Sequence, residues 1–189
     1  MHDLDMRAFV ATYGGAHGAW SQTMLAFTAI GSGWSALLVV PLLLWSATRR
    51  FARALALAIV AQAVWTWALK RAVGRTRPWI VLGYPAPFGA PHDGSFPSGH
   101  ASGTFCVAAF LAVALPTAWP GPAGSPVSRW QPRLVAAGAL VIAVLVGLSR
   151  VYLGAHFPSD VVAGAVMGAC FGAGGGALYL AQRRASDHR

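Results

Sequence analysis

Three short stretches gather most of the residues able to do chemistry. Lys70, Arg71, Arg75 and Arg77 crowd against Pro78. Pro97-Ser98-Gly99-His100 follows, and then Ser149-Arg150 with His156 and Asp160 downstream. Their shared chemistry is the handling of an anion. Lys70, Arg77 and Arg150 supply positive charge, and an arginine fork can grip two phosphate oxygens at once. Ser98 and Gly99 stand where a helix opens, and the first N–H groups of a helix point unpaired at an anion. Gly99 also lets the backbone come close. Phosphoryl transfer is mostly positioning and charge stabilisation, so such a set can neutralise a phosphate without a metal.

His156 and Asp160 suggest a second function. Asp160 lies near the start of a helix, with Pro158 at its first position. A carboxylate on one ring nitrogen leaves the other free to attack, and histidine can carry a phosphoryl group covalently. No Asp/Glu cluster offers itself as a cation site. Cys106 and Cys170 sit inside apolar runs and read as buried small residues, with no metal or redox spacing.

The elements that position these residues follow from composition. Of 189 residues, 56 % are apolar and 10 % charged, and glutamate is absent. Soluble domains carry about 25 % charged residues, so the chain reads as an integral membrane protein. A bilayer-spanning helix needs about 20 mostly apolar residues. Five segments approach that length: 30–46, 52–73, 98–115, 134–151 and 158–180. No period-2 pattern argues for a barrel, which leaves helices to satisfy the backbone in lipid. Residues 1–29 read as an interfacial helical arm of one or two helices, or else a sixth span. Residues 30–181 form the membrane domain, and 182–189 a short basic tail. Arg49 and Arg50 mark a tight turn, and residues 74–97 and 116–132 are proline- and glycine-rich loops. Gly164, Gly168, Gly172 and Gly176 line one face of the last helix, as close packing of two helices requires, with a substrate groove along that face as the alternative reading.

The net charge of +9 divides by side. Arg49, Arg50, Arg53, Arg129, Arg133, Arg183, Arg184 and Arg189 share one side, which the positive-inside rule makes cytoplasmic. Lys70, Arg71, Arg75, Arg77 and Arg150 lie on the other side, where topology does not explain them. An anion does. Scattering of the cytoplasmic arginines over three short segments excludes a nucleic-acid binder.

The ordered pattern K-x6-R-P, P-S-G-H, S-R-x5-H-x3-D resembles that of the type 2 phosphatidic acid phosphatase (PAP2) superfamily of membrane phosphatases. The resemblance covers about residues 30–180. It implies an all-α integral membrane bundle of five to six transmembrane helices. It also implies a lipid phosphate or diphosphate substrate and no cofactor or metal. On the matching positions it implies His156 as nucleophile, Asp160 as its orienting acid and His100 as the group that protonates the leaving oxygen. Lys70, Arg77, Ser98, Gly99 and Arg150 then bind the phosphate. Small size and a short 79–96 loop are similar to bacterial undecaprenyl-diphosphate phosphatases, which act at the outer face of the inner membrane. Phosphatidylglycerophosphate, phosphatidic acid and lipid A phosphate are the alternative substrates. A lipid transporter or scramblase is the alternative class; it would show paired broken helices or repeats, and none is clear.

Within this set Arg71 reads as an interfacial anchor and Arg75 as a variable position between Lys70 and Arg77. His92 and Asp93 are read as an ordinary polar loop, or as contacts to a second phosphate or head group.

Overall fold

Long apolar runs fold as helices because a helix closes its backbone hydrogen bonds within itself. The computed structural model describes residues 2–14, 20–33, 37, 39–87, 93–118 and 126–187, and among them it contains α-helices and no strand. In chain order these are α1 (His2–Thr12), α2 (Ser21–Ile30), α3 (Val39–Leu44), α4 (Arg49–Val73), α5 (Pro78–Leu82), α6 (Gly99–Ala118), α7 (Pro126–Tyr152) and α8 (Pro158–Asp187). The all-α membrane architecture expected from composition is therefore present. Among the described residues, four stretches are long and apolar enough to cross a membrane: Arg49–Leu82, Gly99–Ala118, Trp130–Tyr152 and Pro158–Ser186.

The segment 30–46 differs from expectation. α2 stops at Ile30, where the Gly31 N–H donates to the Phe27 carbonyl at 3.3 Å and the Ser32 N–H and hydroxyl donate to the Ala29 carbonyl at 3.2 and 2.6 Å. Gly31, Ser32 and Gly33 thus break the run, and α3 resumes only at Val39. Residues 34–36 and 38 lie outside the described residues. Residues 1–29 form two helices in their described part, α1 and α2.

The joints also differ in detail. Arg49 and Arg50 open α4, and the Arg49 guanidinium donates to the Leu43 and Leu44 carbonyls at 3.2 and 3.4 Å. A cation is thereby placed on the open C-terminal carbonyls of α3. The 74–97 loop contains α5, with Pro78 at its first position. Residues 116–118 belong to α6 and 126–132 to α7. Pro126 stands at the first position of α7, where a missing N–H costs nothing.

The glycine stripe is filled by α6, which decides for packing over a substrate groove. A Cβ on Gly164 would sit 2.5 Å from the Ser98 carbonyl oxygen. On Gly168 and Gly172 it would collide with the Ser102 and Cys106 carbonyls. Only glycine allows two backbones this close. Beside this seam, the buried Ser102 hydroxyl donates to Gln62 Oε1 at 2.5 Å, tying α6 to α4 through a polar contact. At the end of α4 away from Lys70, Phe51 packs edge-on against Phe110 and Tyr179, with centroids 5.0 and 5.5 Å apart. Cys106 is buried but Cys170 is exposed. An apolar run does not imply burial here, because the outside of a membrane bundle is apolar as well.

Candidate active site

Helix ends set the site. Gly74, at φ +58°, takes the left-handed conformation that stops α4 just past Lys70, and its N–H caps the Lys70 carbonyl at 3.0 Å. Glycine tolerates that conformation without strain. The chain then runs extended through Arg77 into α5. α7 ends beyond Arg150, whose carbonyl accepts the N–H groups of Ala155 and His156 at 2.9 and 3.2 Å. Gly154 makes that turn at φ +78°. Asp160 is the third residue of α8, and its Oδ2 reaches back to the Phe157 N–H at 2.9 Å. This is the acidic half of a capping box.

The three motifs converge. The Ser98 N–H donates to the Asp160 carbonyl at 2.9 Å, joining the start of α6 to the first turn of α8. Arg77 Nη1 donates to the Ala155 carbonyl at 2.9 Å and lies 3.4 Å from His156 Nε2. Arg77, Ser98, Arg150, His156 and Asp160 are all buried. His100 lies within electrostatic reach of Arg150, His156, Lys70 and Arg77. Gly31 sits against its ring, a Cβ there being 3.3 Å from His100 Cδ2. Gly99 has Thr66 Cγ2 3.6 Å from its Cβ position, so protein packing does not itself demand glycine. Arg150 donates to the Thr28 hydroxyl of α2. Ser149 donates to the Val146 carbonyl of its own helix at 2.7 Å.

A guanidinium only donates. Any bond between Arg77 and His156 therefore uses the Nε2 lone pair, with Nδ1–H on the side of Asp160. Nδ1 is 3.7 Å from Asp160 Oδ2, longer than a hydrogen bond. Burial above all pushes the His156 pKa down to about 4, and Arg150, Arg77 and Lys70 act in the same sense against Asp160. The imidazole is thus neutral at pH 7. The described residues leave three buried side-chain polar atoms unpartnered: Trp79 Nε1, Arg150 Nε and His156 Nδ1. Two of the three belong to this site. A neutral imidazole beside two buried guanidinium groups can attack a phosphorus whose oxygens those groups hold. Among the described residues, no three His, Cys, Asp or Glu side chains gather as metal ligands.

Two neighbours, Ser95 and Asp5, escaped the sequence reading, and two others, Arg75 and Asp93, take roles it did not give them. Asp160 is engaged chiefly by Arg75 Nη1, at 2.6 Å, and by the Ser95 hydroxyl. Arg75 Nη2 in turn donates to Asp5 of α1 at 2.6 Å. Asp93 pairs with two of the cations, with Arg77 Nη2 at 2.6 Å and Lys70 Nζ at 3.3 Å. Burial raises the Asp93 pKa, but the Arg77 bond and the Lys70 charge outweigh it and hold the carboxyl below its usual range. Asp93 is therefore a counter-ion of Lys70 and Arg77. His92 lies outside the described residues. The scarcity of acids was the available signal. With 14 Lys and Arg against 5 acids, an aspartate near the cations is a strong candidate for their partner.

The PAP2 superfamily model matches residues 47–185. A lipid A 1-phosphatase from Rhizobium johnstonii is 36 % identical over 108 residues, 54 % of this chain and 37 % of that protein. A putative undecaprenyl-diphosphatase from Escherichia coli is 32 % identical over 136 residues, 70 % of this chain and 60 % of that protein. The chain thus spans less than two thirds of the length of either relative. A transmembrane PAP2-type phosphatidylglycerolphosphate phosphatase of Bacillus subtilis has a similar solved structure. Its TM-score is 0.75 at 28 % identity, covering 90 % of this chain and 82 % of that one.

Proposed function

The chain belongs to the PAP2 superfamily, and from that premise we propose that it hydrolyses undecaprenyl diphosphate to undecaprenyl phosphate and inorganic phosphate. The observation that carries the chemistry is the buried His156 imidazole, with Nε2 3.4 Å from Nη1 of buried Arg77, at one end of an apolar helical bundle. Lys70, Arg77, Arg150 and the N–H groups opening α6 hold the oxygens of the terminal phosphoryl group. His156 Nε2 attacks phosphorus; a P–N bond forms and the P–O bond to the lipid phosphate breaks. His100, protonated once the phosphate anion lies beside it, gives the leaving oxygen its proton. It then takes a proton from water, which attacks the phosphohistidine, and the P–N bond breaks to release phosphate. None of these steps requires a metal.

The lipid is inferred from two supports. Among the two sequence relatives, the similarity to the putative undecaprenyl-diphosphatase extends over 70 % of this chain, against 54 % for the lipid A 1-phosphatase, while the structural likeness to the phosphatidylglycerolphosphate phosphatase covers 90 %. By the positive-inside rule the arginine distribution supports a site on the outer side of a bacterial inner membrane, which suits the recycling of a carrier lipid diphosphate. The test compares kcat/KM on undecaprenyl diphosphate, phosphatidylglycerophosphate, phosphatidic acid and lipid A in detergent. Undecaprenyl diphosphate is expected to lead, and a clear preference for a glycerolipid or lipid A overturns the substrate. H156A is expected to lose activity by about 10³-fold or more, and a variant that stays active overturns the mechanism.

A further inference from the structure

We propose that Arg75, anchored by Asp5 of the N-terminal helix, is a positioning residue that fixes Asp160 and through it the His156 imidazole. The inference rests on the phosphohistidine reading above. Arg75 is cationic and close to the site, yet its bonds lead away from any phosphate. Nη1 donates to Asp160 Oδ1 at 2.6 Å and to the Ser159 hydroxyl at 2.7 Å. Nη2 donates to Asp5 Oδ2 at 2.6 Å. The guanidinium carbon lies 4.3 Å above the Phe157 ring. Both ends of the fork are thus committed to carboxylates and its face to an aromatic ring.

Asp5 fastens the same turn a second time. Its Oδ1 accepts the Ser159 N–H at 2.9 Å and its Oδ2 the Ser159 hydroxyl at 2.6 Å. Ser159 is the second residue of α8, so a carboxylate from another helix satisfies one of the free N–H groups at its start. Phe9, fully buried, packs on Phe157 at 5.5 Å and holds α1 in place. A fully buried Asp160 needs a counter-charge, and Arg75 is the cation bonded to it. Where that carboxylate points decides how the ring 3.7 Å away is held.

The charged and titratable groups facing His156 are Asp160 on α8, Arg150 on α7, His100 on α6, and Arg77 and Lys70. Without Arg75, the imidazole becomes the nearest group able to carry a counter-charge for Asp160. It then takes up a proton more readily, and the acidic limb of the rate profile moves to higher pH.

The experiment compares R75A, R75K and D5N, each measured for kcat, KM and the pH dependence of kcat/KM. R75A is expected to lose about 100-fold in kcat with KM nearly unchanged, and to raise the acidic limb. R75K recovers part of the loss, since one ammonium cannot serve both carboxylates in a planar fork. D5N moves in the same direction by about tenfold. Should R75A fail to accumulate, R75K and D5N carry the test. A rise in KM at constant kcat overturns the inference, because Arg75 then holds substrate. So does a loss of rate with the wild-type pH profile, which means less folded enzyme. Activity surviving in H156A removes the phosphohistidine reading and this inference with it. An inactive H156A beside wild-type behaviour of R75A and D5N removes the inference alone.

Discussion

Helices α6 and α8 meet in two different ways along one contact. Along the seam, Gly164, Gly168 and Gly172 lie directly against the carbonyls of Ser98, Ser102 and Cys106, with no side chain between. At the site end, one turn before Gly164, the same helices are joined by the Ser98 N–H on the Asp160 carbonyl at 2.9 Å. There the space is filled by buried polar groups, each needing a partner. The seam depends on the absence of side chains and the site end on their charges. Because both lie on the same two helices, the seam sets the distance at which Ser98 and His100 face Asp160 and His156.

The comparison breaks most severely at Gly168. Valine there forces the backbones apart, because its Cβ would collide with the Ser102 carbonyl. Over-packing of this kind costs about 1–3 kcal/mol. A shift of about 1 Å at the reacting groups costs on the order of 100-fold in rate. G168V is expected to lower the melting temperature in detergent and the lipid phosphatase rate together. G174A is the control, since nothing lies within 4 Å of its Cβ position. Wild-type rate and melting in G168V would refute the role given to the seam.

The second test concerns the site end alone. A histidine with its ordinary pKa of about 6.5 is roughly nine-tenths protonated at pH 5.5. His156, pushed down to about 4 by burial and by Arg150, Arg77 and Lys70, stays neutral there. The unfolded chain takes up this proton as pH falls through about 6.5, while the folded protein does not until near 4. Stability therefore falls across that window as pH drops, and rises with pH through it. Nitrogen NMR of histidine-labelled protein, with H156N for assignment, reads the state directly. Half-protonation of His156 near pH 6.5 is the outcome that contradicts the buried, cation-flanked ring.

How far the sequence could disclose these two regions differs in kind. Lys70, Arg77, Arg150, His100, His156 and Asp160 stood out because ionisable groups at span ends of an apolar chain are costly and rarely incidental. The glycine stripe was legible because its four-residue period is helical. Arg75 and Asp5 pair across 70 positions, and such a contact leaves no periodic trace. By sequence Arg75 reads as a variable position, and Asp5 falls in an arm outside the membrane domain. Prolines misled at 116–132, where the first turn of α7 accepts Pro126 and the helix continues. The break after Ile30 lay in Gly31-Ser32-Gly33, plain in composition but outweighed by the apolar residues around it.

The smallest expected effect separates two kinds of charge within the site end. Arg77 and Lys70 have side chains 2 % and 11 % exposed, whereas the Asp93 side chain that binds both is 51 % exposed. The cations are fixed and the carboxylate is the partner able to leave. Asp93 is held below its usual pKa range, so it is ionised at neutral pH and competes with any anion for Arg77 Nη2. Its half-exposure screens the pair, which keeps the competition weak. D93N retains the shape and removes the charge. Inorganic phosphate and vanadate are therefore expected to inhibit D93N about three- to tenfold more strongly than wild type, roughly 0.7–1.4 kcal/mol tighter. Lowering the pH until Asp93 protonates should bring wild type toward D93N. Weaker inhibition of D93N would mean that the carboxylate aligns the two cations for the phosphate. Tighter inhibition would mean that it holds their place while the site is empty and helps the product leave.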